Sequence, residues 1–332
     1  MKILITGGAG YIGSHVLKAL LKQGGHEITV VDNLCKGTTK ALDALEKIGK
    51  FKFVKANLED DLSGIFAEGK FDAIIHFAAF IEVFESTQDP LKYYLNNTAN
   101  VAKILTYCKE YGVNKFIFSS TAAVYGEPQD DKNAGEVDEQ TAANPINPYG
   151  RSKLMSEWII KDYAASNENF KFAILRYFNV AGADEEGLIG QNYPNATHLI
   201  KVATRTALGK RESMGIFGSD YPTADGTCVR DYIHVSDLAD AHLSALDYLN
   251  EHEKSETFNV GYGRGFSVKE VIETAKKVSG IDFKVVSAPR RDGDPARLIA
   301  EPEKIRNLTN WRPKREDLAL IIKTALEWEK RL

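Results

Sequence analysis

Residues 2–15, KILITGGAGYIGSH, set a β-rich run directly before Gly7, Gly10 and Gly13 and then open an apolar stretch at helical spacing, Tyr11 to Leu21. Missing side chains let the backbone turn tightly and approach a pyrophosphate, which then sits at the positive end of the helix. A second run, EITVVD, ends on Asp32. That is about 20 residues past the turn, where an acid binds the ribose hydroxyls of a dinucleotide. A carboxylate there favours NAD over NADP, because a 2′-phosphate would meet like charge. A glycine turn alone carries little information. Between a strand and a helix, and followed by an acid-tipped strand, it predicts a dinucleotide site.

Four more β-rich runs follow: FKFVKA (51–56), DAIIHFA (72–78), KFIFSS (115–120) and FAILRYF (172–178). Helical patterns such as Leu91 to Tyr111 separate them. Near-continuous apolar strands between helices indicate a parallel sheet covered on both faces, the doubly wound α/β class in an extended, Rossmann-like form. After Asn179 the alternation weakens. RDYIHV (230–235) and TFNVGY (257–262) flank a helical run, Ser236 to Leu249, and are expected to rejoin the main sheet. The tail reads as a helix from Ser267, a strand-like DFKVV, a loop rich in Arg and Asp, and a last helix. The expected division is 1–178 plus about 231–260 as an NAD-binding domain, with 179–230 plus 261–332 as a smaller, discontinuous α/β substrate domain.

The bulk numbers narrow the partners. A net charge of −4 with mixed signs argues against a nucleic-acid or anionic-membrane surface. No apolar run approaches the roughly 20 residues of a membrane span, and none at the N-terminus has the form of a signal sequence. The three cysteines, Cys35, Cys108 and Cys228, form no C-x-x-C pair, which fits a reducing cytoplasm. The seven histidines form no H-E-x-x-H or similar cluster, so no protein-held metal is expected. A second glycine turn, GYGRG (Gly261, Gly263, Gly265), also follows a strand. Ser267 and Glu270 beyond it form a capping box, and no acid-tipped strand comes next, so it reads as a helix entry.

The reactive groups lie at PYGRSK, where Tyr149 and Lys153 stand at i and i+4 on one helical face. A free tyrosine has a pKa of ~10 and is a poor base at neutral pH. A neighbouring ammonium and a positive nicotinamide ring both favour the phenolate. Bringing it to about 7 requires about 4 kcal/mol of differential interaction. Ahead of this pair, FSSTAAVYG brings strand core, Phe116 to Phe118, to an end in the small residues Ser119, Ser120, Thr121 and Ala122.

Taken together, TGGAGYIGSH, VDNL, HFAA, FSSTAAVYG, NPYGRSK, LRYFNVAGA, FG-x-DYPT-x-DGT-x-VRDYIHV-x-DLA and APRR-x-GDP span nearly the whole chain. In this order they resemble the extended short-chain dehydrogenase/reductases, and closely their UDP-hexose 4-epimerases. The resemblance implies that Tyr149 is the acid/base, Lys153 its activator and ribose anchor, and Thr121 the hydroxyl bridging tyrosine and sugar. It implies NAD contacts from Gly7, Gly10, Tyr11, Ile12, Gly13, Asp32, Asn33, Asn57, Leu58, Phe77, Ala78, Asn96, Ser119, Tyr149, Lys153 and Tyr177. Around a UDP-sugar it places Thr121, Asn179, His198, Leu199, Phe217, Arg230, Arg291, Asp294 and Leu298. Arg230 and Arg291 would grip the diphosphate, for which guanidinium forks are suited. A homodimer is typical of the family.

Against a 4,6-dehydratase, which needs an Asp-Glu pair directly after its active-site Thr, this chain has Ala122-Ala123. Methyl groups cannot move protons. Uronate epimerase or decarboxylase chemistry stays open, as the residues around sugar C6 are not identified. A non-catalytic NAD-binding sensor would have no need of Thr121, Tyr149 and Lys153 together. Four positions depart from the commoner pattern. Ile81, followed by Glu82, stands where many members place a pyrophosphate-binding Lys, which predicts weaker NAD retention. Asn57 replaces an Asp at the adenine, and His198 an Asn at the substrate. Leu298 replaces the Tyr that narrows the pocket beside C2, so both plain and N-acetylated UDP-hexoses are expected to fit.

Overall fold

Fourteen strands organise the residues described by the computed structural model, 1–128, 135–193, 197–291 and 293–332. In chain order they are β1 Lys2–Thr6, β2 Glu27–Asp32, β3 Lys52–Lys55, β4 Ala73–His76, β5 Lys115–Thr121, β6 Glu136–Val137 and β7 Lys171–Tyr177. Then come β8 Asn179–Ala181, β9 Met214–Phe217, β10 Val229–His234, β11 Glu256–Val260, β12 Gly265–Ser267, β13 Val285–Ala288 and β14 Arg297–Ala300. The main sheet has seven strands in the order β11-β7-β5-β4-β1-β2-β3, every neighbouring pair parallel. This is the doubly wound α/β sheet expected.

Side-chain alternation along each strand divides the core. Ile3, Ile5, Val30, Ile75, Ile117 and Leu175 face the layer containing the helices Tyr11–Gln23 and Val235–His252. Leu4, Val31, Ile74, Phe116, Phe118 and Ile174 face the layer containing Ser63–Gly69, Asn100–Tyr111 and Pro148–Ser166. The strand order reverses between β1 and β4. The loops after these two strands leave in opposite directions and open a crevice at the carboxyl edge of the sheet, the usual ligand position in such folds.

One expectation is corrected. TFNVGY does rejoin the main sheet as edge strand β11, but RDYIHV does not. As β10 it lies in a second sheet of order β12-β10-β14-β6, with β8 also on β10. Its composition satisfies either sheet, since all six of its residues are buried. DFKVV is extended over Val285–Ala288 rather than 282–286, where β13 pairs with β9. The stretch read as one helix, Leu91 to Tyr111, contains a π-helical segment, Tyr94–Ala99, between helices Pro90–Tyr93 and Asn100–Tyr111.

Candidate active site

Close approach shapes the glycine turn. Gly7 has φ +75°, and a Cβ there would lie 2.7 Å from Ala78 N across the crevice. A Cβ on Gly13 would lie 2.3 Å from Gly7 O, whereas one on Gly10 would be 3.2 Å from the same atom. Gly10 is the N-cap of the helix that begins at Tyr11 and carries Ile12 and Gly13 in its first turn. Tyr11 donates its hydroxyl to Gly182 O at 2.6 Å. Asp32 is buried at the end of β2, where its two oxygens accept from Ala9 N (3.0 Å) and Leu34 N (2.8 Å). These bonds orient the carboxylate and leave each oxygen a lone pair for a ribose hydroxyl.

Asn33, just after β2, donates from Nδ2 to Oδ1 of Asn57, which lies beyond β3, at 2.9 Å. The Asn57 oxygen keeps one lone pair for an adenine amino group. Leu58 turns its side chain into the core. Phe77 and Ala78 follow β4, and the Phe77 ring lies 4.9 Å from that of His242. Asn96, in the π-helical segment, donates to Asn97 Oδ1.

The reactive pair sits on the helix Pro148–Ser166. Asn147 caps it by accepting from Gly150 N at 2.8 Å, and Pro148 occupies the first helical position. Tyr149 is therefore in the first turn and Lys153 one turn later, both buried. Lys153 Nζ donates to Ser119 O at 2.8 Å and lies over the Phe118 ring. Its other two N–H groups have no acceptor among the described residues and suit the oxygens of a ribose diol. Burial brings the Lys153 pKa down to about 7, opposed by the charge of Glu157. Burial also pushes Tyr149 up to about 12, opposed by a hydrogen bond with Thr121 and reinforced by Glu82. Thr121 ends β5, accepting from Ala123 N at 3.1 Å, and Ser119 Oγ lies 3.3 Å from His242 Nε2. Tyr177 ends β7 close to Ser119 and Tyr149, and burial raises its pKa. Positions scattered from 7 to 177 in the sequence thus meet at one sheet edge. A dinucleotide fits their donors, acceptors and missing Cβ atoms.

Several residues of this site carry no sequence motif. Buried Asn97 accepts from Phe80 N (2.9 Å) and donates to Phe80 O and Ser152 Oγ, fastening the loop after β4 to the Tyr149 helix. Ile81 is 43% exposed, and cations reach its loop from elsewhere, Lys92 over the Phe80 ring and Lys36 at Glu82. Lys36 Nζ meets Glu82 Oε1 at 2.9 Å and the Tyr193 hydroxyl at 2.7 Å, joining three loops around the crevice. The second GYGRG turn is held by buried Asp231, which accepts from Tyr262 N and Gly263 N. Ser267 and Glu270 form the expected capping box beyond it.

The substrate candidates fall into two groups. Asn179, His198 and Leu199 line one recess together with Gln191, Tyr232 and Trp328. In the second group Arg230 on β10 pairs with Asp294 at 3.0 Å, and Arg291 stacks 3.6 Å from the centre of the Phe217 ring. Leu298 on β14 is in register with Arg230 and is buried in a cluster with Ala122, Tyr125 and Leu154.

Comparison with known proteins gives concordant results. The model of the NAD dependent epimerase/dehydratase family matches residues 3–261. The UDP-glucose 4-epimerase of Azospirillum brasilense is 48% identical over 331 residues, 100% of this chain and 92% of that one. Among solved structures, the UDP-Glc/GlcNAc 4-epimerase from Campylobacter jejuni is 58% identical, with a TM-score of 0.87 and 99% of both chains covered. The UDP-glucose-4-epimerase from Stenotrophomonas maltophila, solved with bound NAD and formylated UDP-arabinopyranose, has a TM-score of 0.94 at 36% identity, covering 100% of this chain and 98% of that one. With relatives matched almost end to end and a crevice shaped for a dinucleotide beside a Tyr–Lys pair, the chain belongs to the NAD-dependent epimerase/dehydratase family.

Proposed function

We infer that the protein interconverts UDP-sugars at C4, acting on UDP-glucose/UDP-galactose and on UDP-N-acetylglucosamine/UDP-N-acetylgalactosamine. The carrying observation is the constellation of Thr121, Tyr149 and Lys153 at the dinucleotide crevice, with methyl groups at Ala122 and Ala123 where dehydration needs an acid and a base. Bound NAD supplies the acceptor, and later the donor, of the C4 hydride. Tyr149 removes the 4-OH proton and returns it, and Thr121 orients that hydroxyl. Lys153 holds the ribose and favours the phenolate by its charge. The 4-keto sugar must turn over between the two transfers, so the ring is gripped weakly. Affinity comes from Arg230, Arg291 and Phe217 on the uridine diphosphate. Asn179, His198 and Leu199 bound the sugar side.

The wider substrate range rests on Leu298 and is supported by the Campylobacter jejuni relative, described as acting on both sugar types. Such chemistry serves galactose and N-acetylhexosamine metabolism, and the three free thiols suit a cytoplasmic setting. A homodimer is supported by exposed apolar side chains on adjoining helices: Phe84 (78%), Leu91 (69%), Leu95 (62%) and Trp158 (54%).

The test is incubation of the purified protein with each UDP-sugar, without added nicotinamide, followed by NMR. Epimers are expected, with Tyr149→Phe slower by about 10²- to 10⁴-fold at unchanged NAD content. Equal rates for the two proteins would refute the assignment, and stoichiometric NADH release would indicate a dehydrogenase.

A further inference from the structure

Tyr149, Lys153 and Glu157 follow one another at steps of four along the helix Pro148–Ser166 and form a single stripe. The third member has no part in the chemistry described above, yet its side chain is fully buried. Its carboxylate accepts from Ser120 Oγ at 2.5 Å, and from Arg176 Nε and Nη2 at 3.0 and 2.6 Å. Lys161, one turn further on, approaches to 3.6 Å. Arg176 continues to the Tyr125 hydroxyl (3.1 Å), which donates to Asn259 Oδ1 at 2.6 Å. The carboxylate therefore ties the helix to β5, β7 and β11. Ser120 lies between Ser119, whose carbonyl holds Lys153, and Thr121.

We propose that Glu157 is a positioning residue for the reaction, holding the end of β5 against the helix and supplying the negative potential that keeps the buried Lys153 charged. This rests on the reading of Tyr149 and Lys153 as the reacting pair. The groups facing that pair are few. His76 on β4 acts on Lys153, Tyr177 on β7 and Glu82 act on Tyr149, and His242 reaches the site through Ser119. Among the described residues Glu157 is the anion that acts on Lys153, with the cations Arg176 and Lys161 packed against its other side. Loss of the Lys153 proton weakens the ribose anchor and disfavours the phenolate, so activity should fall on the alkaline side.

The experiment measures kcat/KM against pH, thermal midpoint and retained NAD for three variants. In Glu157→Gln the alkaline limb is expected to move down by about one pH unit, an approximately tenfold loss at pH 8 that shrinks to about twofold at pH 6. Glu157→Asp keeps the charge and should restore the limb even at a lower thermal midpoint. The double variant Glu157→Met with Arg176→Met removes the pair without stranding a charge, so stability should return while the limb stays shifted. If the Gln protein fails to fold, the double variant decides by the same limb. A wild-type limb in the charge-removing variants, or an equal shift in Glu157→Asp, overturns the proposal. An active Tyr149→Phe would instead overturn the reading beneath it.

Discussion

Tyr149 and Lys153 sit where burial drives each toward its neutral form, up to about 12 for the phenol and down to about 7 for the amine. A phenolate–ammonium pair there needs positive charge from the cofactor and fixed partners from the protein, which Thr121 and Ser119 provide. Specificity is also a residue-scale matter. Leu298 is 7% exposed and shares its cluster with Ala122, so a larger ring has no free space behind it. On the proposed reading of the substrate side, the ring of Leu298→Tyr projects toward the sugar. It is expected to lower kcat/KM for the N-acetylated pair about 10- to 200-fold more than for the plain pair. Coupled assays on the four UDP-sugars read this, and equal losses on both pairs would refute it.

At the scale of elements, the crevice depends on the turns that follow β1 and β4 approaching so closely that a Cβ on Gly7 would meet the backbone of Ala78. Gly7→Ala places a methyl group against the backbone of Ala78 in a left-handed conformation, at a strain of about 1–3 kcal/mol. Both the thermal midpoint and the NAD retained after gel filtration should fall. Gly112→Ala is the control: its φ of +72° is equally unfavourable, but nothing lies within 4 Å of the new methyl. It should cost stability while leaving NAD content intact. Equal NAD loss in both would show that the close approach is not what binds the cofactor.

The whole molecule buries four histidines, His15, His76, His234 and His242, whose pKa values burial lowers to about 4, 3, 4 and 4. The unfolded chain protonates them near 6.5 and so binds more protons below that pH. Their contribution is intact above pH 6.5 and is lost as pH falls toward 4, by up to about 1.4 kcal/mol per histidine per pH unit. Thermal midpoints should drop steeply over this window, and His242→Gln should flatten the slope. An unchanged slope would show that His242 titrates normally in the fold. Assembly belongs to the same scale. Light scattering should give a dimer mass, and Trp158→Glu a monomer that still retains NAD. A dimer persisting in that variant would move the interface elsewhere.

Much of this is legible in the sequence. The glycine turn, Asp32, the apolar strands and the Tyr149–Lys153 spacing are local patterns, and backbone geometry converts each into structure within a few residues. Membership of β10 in the second sheet is not legible, because an all-buried strand satisfies either sheet and the choice lies with partners distant in sequence, such as β14, whose Arg297 pairs with Val229. The same holds for Asn97 with Ser152, for Lys36 with Glu82 and Tyr193, and for Glu157 with Ser120 and Arg176. Local steric and hydrophobic patterning determined the elements and the reacting pair. The polar networks around Tyr149 and Lys153 depend on which strand lies beside which, and only tertiary packing decides that.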